Sequence, residues 1–119
     1  MNGLTRSARL TLDEAFSPVD AADELRGELR RLGITADVID GYGLAVVSVW
    51  TGLAVWSDGC RFWWRTGGWD ARRGRAVYAW HSAMEPGRAA RRVAFRYAEL
   101  VRTHPMPEVN GQARDALPR

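Results

Sequence analysis

The chain has no lysine: all 17 of its basic side chains are arginine. That excludes the Gly-x4-Gly-Lys-Ser/Thr phosphate loop, whose charged member is missing. Alanine and glycine are abundant as well, which is the bias a GC-rich genome produces, so genome composition accounts for the arginines before any use of guanidinium does. A single cysteine, Cys60, rules out an intrachain disulfide and any advantage from an oxidising compartment. Cys60, His81 and His104 are widely separated and lack ligand spacing, so no metal site is expected. No Ser/His/Asp set and no paired carboxylates can be assembled, and Asp58 and Asp70 read as turn residues. No cofactor and no small-molecule substrate is implied. The longest uncharged stretch, Gly41 to Ser57, is broken by Gly-Tyr-Gly and Thr-Gly and falls short of the ~20 apolar residues a spanning helix needs. Arg6 and Arg9 are not followed by an apolar run, so neither a signal peptide nor a membrane partner is expected, and the expected location is cytoplasmic.

What the chain does have is the composition of one globular domain: 119 residues, 46% hydrophobic and 26% charged. The charge is unevenly placed. Residues 1–59 carry 5 arginines against 9 acids, a net of −4, and residues 60–119 carry 12 against 5, a net of +7. The basic half can attract a polyanion, or it can face the acidic half of its own fold.

Residues 1–16 show no sustained period and read as a loosely ordered lead-in to a single domain over 17–104. Ser17-Pro18-Val19-Asp20 opens a helix, with Ser17 at the N-cap, Pro18 at N1 and Asp20 completing a capping-box-like pattern. Ala22, Leu25, Leu29 and Leu32 form its apolar stripe, and Gly33 suits the C′ position. The period then changes to that of strands. Thr35 to Ile39, Leu44 to Trp50, Leu53 to Trp56, Arg61 to Thr66 and Val77 to His81 are the candidate strands, although Leu44 to Trp56 also reads as one long bent strand. Asp58-Gly59 is the type I′ hairpin signal, and 66–75 reads as a loop rich in Gly and Arg. Pro86 starts a second helix that buries Ala89, Ala90, Val93, Ala94, Tyr97, Ala98, Leu100 and Val101, with Arg88, Arg91, Arg92, Phe95, Arg96, Glu99 and Arg102 on the wet arc. His104-Pro105 ends it, and residues 105–119 read as a mobile tail. The expected fold is α+β: an antiparallel sheet of four to five short strands with one helix before it and one after, both helices on one face.

Three groups stand out as candidate binding residues. In Arg61-Phe62-Trp63-Trp64-Arg65 the side chains alternate, so either Phe62 and Trp64 or the arginines with Trp63 must face the helices. Burying two guanidiniums costs too much, so Phe62 and Trp64 are the core pair. Trp63, flanked by Arg61 and Arg65, then lies on the open face, unless another segment covers it or the arginines shield it by cation–π contact. Arg72, Arg73 and Arg75, with Trp69, form the second group, whose bland reading is a flexible hairpin end with Trp69 tucked back as an anchor. The third is Arg88, Arg91, Arg92 and Phe95, which either forms a contact surface or pairs with the acidic first helix. Cys60 and His81 as a thiolate–imidazole pair rank last, below the reading of Cys60 as buried and inert.

The segment Gly87-Arg88-Ala89-Ala90-Arg91-Arg92-Val93-Ala94, with the element order, resembles the second helix of double-stranded-RNA-binding domains. The resemblance covers about 15 residues and implies phosphate contacts through Arg88, Arg91 and Arg92. The lysines of that family and its Gly-Pro-x-His-type loop are absent here. In composition and layout the chain is also similar to small proteins of high-GC actinobacteria. The first expectation is a non-enzymatic binding or accessory module that meets a protein partner or a second copy of itself, with acidic first helix against basic second helix. A nucleic-acid-binding domain is the alternative.

Overall fold

The computed structural model describes residues 17–103. The lead-in 1–16, His104 and the tail 105–119 lie outside the described residues. Helix α1 (Pro18–Arg31) starts where its cap predicts: the Ser17 hydroxyl accepts the Asp20 N–H at 3.4 Å. It ends in a Schellman motif. Gly33, at φ +84, donates to the Arg30 carbonyl, and Ile34 donates to that of Leu29. Ala22, Leu25 and Leu29 are buried as the stripe requires, while Leu32 at the C-cap is exposed.

Five strands follow: β1 (Asp37–Gly41), β2 (Leu44–Trp50), β3 (Leu53–Ser57), β4 (Arg61–Asp70) and β5 (Arg75–Ser82). They form one open sheet in the order β1-β2-β3-β4-β5, every pair antiparallel. Helix α2 (Pro86–Thr103) closes the described fold and packs beside α1. The α-β5-α order, with both helices on one face of the sheet, is the expected one.

Several local expectations change. The first strand is Asp37–Gly41 rather than Thr35 to Ile39, whereas Leu44 to Trp50 and Leu53 to Trp56 are separate strands as first read, Trp50 pairing with Leu53 across Thr51-Gly52, and the single bent strand is excluded. The turn with two positive φ angles is Tyr42-Gly43 (55° and 78°), not Asp58-Gly59. Asp58 instead uses its carboxylate: one oxygen accepts the N–H groups of Cys60 and Arg61, both at 2.8 Å, leaving a three-residue connection in which Gly59 alone has positive φ. Cys60 is therefore exposed on that turn and not buried. The largest change concerns 66–75. β4 continues through Gly67 and Gly68 to Asp70 and β5 begins at Arg75, so only residues 71–74 form a turn. The register shifts between Arg65 and Trp69, which makes the glycine pair a bulge inside a strand.

The core lies between the sheet and the two helices. Ala45, Val47 and Val49 of β2, Leu53 and Val55 of β3, and Phe62 and Trp64 of β4 face Leu25, Leu29, Ala89, Ala90 and Val93. Ser57, the one buried polar side chain among the described residues, donates to the Pro18 carbonyl at 3.0 Å and accepts the Gly59 N–H. That ties the start of α1 to the end of β3. Trp50 meets Tyr97 edge-on, ring centroids 5.3 Å apart, and joins α2 to the far end of β2. Among the described residues no helix is long and apolar enough to cross a membrane.

Candidate binding surfaces

Phe62 and Trp64 are buried, which places Trp63 on the other face. Register shows what stands beside it. Ile39 pairs with Val46, Val46 with Trp56, Trp56 with Trp63, and Trp63 with Trp80. Directly paired residues share a face, so these five side chains form one row across the open face of all five strands, a span of roughly 19 Å at ~4.8 Å per strand. Neither helix covers it. Trp80 is 58% exposed, Ile39 59% and Trp56 38%, while Trp63 in the middle is half-buried by its neighbours.

The next row along the strands runs from Asp37 through Ser48 and Ala54 to Arg65 and Tyr78. There the Arg65 Nε donates to the Tyr78 hydroxyl at 3.3 Å. With Trp50 and Trp56, the last four of these residues line a shallow trough of about 370 Å3. Arg61 does not shield Trp63. Its guanidinium lies 5.6 Å from the Trp80 ring centroid, diagonally across the β4–β5 pair. Sequence reasoning passed over Trp56, Tyr78 and Trp80. Their signal was alternation in Leu53-Ala54-Val55-Trp56 and Val77-Tyr78-Ala79-Trp80, which puts each of the three opposite a core residue of its own strand.

The second predicted group stands at the hairpin tip. Trp69, beyond the bulge and paired with Ala76, is 66% exposed and does not tuck back. Asp70 organises the turn by accepting the N–H groups of Arg72 and Arg73 and pairing with the Arg73 guanidinium at 3.0 Å. Arg72 and Arg75 are exposed.

The third group lies on the helix side of the sheet. α1 and α2 are neighbours, but among the described residues no ion pair joins them. The pairs are local: Asp23–Arg26, Glu85–Arg88 and Glu99–Arg96. Arg92 reaches the sheet instead. Its Nη1 donates to the Trp80 carbonyl at 2.9 Å and to His81 Nδ1 at 3.1 Å, while the guanidinium lies 5.3 Å from the Trp64 ring centroid. Arginine has no acceptor to offer, so Nδ1 is the bare nitrogen of His81 and Nε2–H donates to Glu85, 2.9 Å away. This engages both ring nitrogens of His81, with Arg92 and Glu85. Arg96 was assigned to solvent but is only 22% exposed, because its guanidinium lies against Gly67 in the bulge.

The chain matches no family model, no curated protein and no solved structure. Its function is therefore argued from these two surfaces.

Proposed function

We propose that this domain is a non-enzymatic binding module whose working surface is the open sheet face, and that the partner is a second copy of the chain. The observation that carries the reading is the uncovered row Ile39–Val46–Trp56–Trp63–Trp80. A contiguous apolar surface of this kind is what protein interfaces bury.

The row is also self-complementary. Sheets pack face to face at ~10 Å, and two-fold symmetry is the usual way for like chains to pair. An axis running along β3 between the two sheets sets β1 of one copy against β5 of the other. Ile39 and Val46 then meet the partner's Trp80 and Trp63, and Asp37 stands opposite the partner's Tyr78, one strand from the partner's Arg65. This differs from a dimer joined through the helices, whose facing sides are already used within one chain.

The nucleic-acid reading needs Arg61, Arg65, Arg72, Arg73 and Arg75 together with Arg88, Arg91 and Arg92. Arg61 and Arg65 stand on the open face and the α2 arginines on the opposite side of the sheet, so no single flat surface gathers them. It predicts binding of generic RNA whose affinity falls steeply with salt.

Light scattering after size exclusion tests the dimer. The expected mass is twice 13.3 kDa, reduced to the monomer by Trp80→Glu. Asp37→Arg and Arg65→Asp should each weaken the dimer and together restore it. A monomer throughout the micromolar range would sink the proposal.

A further inference from the structure

The helix side of the β4–β5 hairpin holds a second surface, separate from the open face. α1 lies over β1 to β3, α2 meets both β2 and β5, and a groove of about 450 Å3 remains between α2 and the hairpin. Trp64 and Ala79 form its floor. Phe95, 71% exposed, stands on its wall with Arg91, Arg92 and Arg96. Because Phe95 borders the groove, its exposed ring extends the apolar surface of the Trp64–Ala79 floor.

The groove is short of negative charge. Three arginines line it against one carboxylate, Glu99, which is paired with Arg96 at 3.1 Å. Arg91 has no carboxylate within ion-pair distance among the described residues. The Nε of Arg96 is buried and has no acceptor. Two of the three guanidiniums are also held in place. Arg92 is fixed by the Trp80 carbonyl, His81 and the Trp64 ring, and Arg96 by Glu99, with its guanidinium against Gly67. Donors ordered in advance lose less freedom when a ligand arrives.

We infer that this groove binds an acidic segment of a partner protein, seating one apolar side chain between Phe95 and the Trp64–Ala79 floor and its carboxylates on Arg91 and Arg96. Charge complementarity selects the acidic ligand, since guanidinium and carboxylate match as paired donors and acceptors. A nucleic acid fits less well. Trp64 is only 3% exposed, enough for an edge contact but not for stacking, so a base finds only Phe95 to stack on. The site stands apart from the dimer surface and does not depend on it.

Panning a displayed library of random peptides against the full chain tests this, followed by fluorescence anisotropy of the enriched peptides. Enriched sequences should place Asp or Glu beside an aliphatic or aromatic residue. Their affinity should fall at least tenfold with Arg91→Glu, with Phe95→Ala, and when the peptide's acids become amides. Both substituted side chains are exposed, so circular dichroism should show an intact fold. Ile39→Glu, on the open face, should leave binding unchanged. No enrichment, enrichment without acidic residues, or binding indifferent to Arg91→Glu and Phe95→Ala would each overturn the assignment. Loss of binding with Ile39→Glu would move the site to the open face and overturn it as well.

Discussion

Strands β1 to β3 and the β4–β5 hairpin belong to one sheet but use their residues differently. The first three strands are five to seven residues long, two of their junctions being tight turns, and they lie against α1. Their inward residues are small and aliphatic: Ala45, Val47, Val49, Leu53 and Val55. β4 and β5 run to ten and eight residues and contain a bulge. They carry four of the six tryptophans and five arginines counted through the turn. Only Phe62 and Trp64 of the hairpin enter the core deeply. The first three strands supply most of the sheet's core and three of the five residues of the open-face row, whereas the hairpin contributes to both candidate binding surfaces, one on each face.

The division has a sharp test within the hairpin itself. Phe62→Ala empties the best-buried aromatic position and should destabilise the domain by about 3–5 kcal/mol. Trp69→Ala removes a larger side chain seven residues further along the same strand, at a site open to water, and should cost under about 1 kcal/mol. Urea unfolding followed by circular dichroism measures both. Similar losses for the two would mean that the hairpin tip is part of the core.

Glycine positions sharpen the contrast next. Gly43, in the β1–β2 turn at φ +78, has open space where a Cβ would stand. Gly43→Ala should therefore cost only the left-handed backbone, about 1 kcal/mol. Gly67, in the bulge at φ +95, would set its Cβ 2.6 Å from Arg96 Nη2. Gly67→Ala should cost about 2–3 kcal/mol, backbone strain plus displacement of the guanidinium. In the background of Arg96→Ala the second part should vanish, a coupling of about 1 kcal/mol in a double-mutant cycle. Additive losses would show that Arg96 swings away freely, and the ordered groove wall would be lost with it.

The same contrast explains what could be read from the sequence. Helix α1 was legible at both ends because its signals are local: the Ser17 cap, the Pro18 start and the Gly33 stop act within a few residues. The Phe62/Trp64 choice was legible because burying Arg61 and Arg65 was the only alternative. The hairpin was not legible. Gly67-Gly68 punctuates a sequence in the same way whether it ends a strand or bulges one, and only the pairing of Trp69 with Ala76 distinguishes the two. Arg96 was misplaced for the same reason. Its helical position faces water, but the bulge of β4, distant in sequence, arrives there to cover it. Trp56 and Trp80 join Trp63 through register, and register is absent from any single strand.

A smaller effect separates the ends of the scaffold from the hairpin tip. Ser17→Ala removes the acceptor for Asp20 at the start of α1 and should cost about 1 kcal/mol. Thermal melts should show it as a drop of a few degrees, since ~1 kcal/mol moves the midpoint of a small domain by about 4–8 °C. An unchanged midpoint would mean that Ser17 does not hold the helix start.

The smallest expected effect lies at the tip. The Arg73–Asp70 pair spans 3.0 Å, but the arginine side chain is 69% exposed, so solvent screens the attraction. Arg73→Ala should change stability by no more than about 0.5 kcal/mol, and less in high salt. Asp70→Ala should cost more, because the carboxylate also accepts the N–H groups of Arg72 and Arg73 and so holds the turn backbone. Asp70→Asn separates the two roles: it keeps the acceptor for the turn and discards the charge. If the backbone contacts dominate, Asp70→Asn will resemble Arg73→Ala in urea unfolding. If it resembles Asp70→Ala instead, the charge matters more than the turn geometry, and the tip is a stronger electrostatic element than its exposure implies.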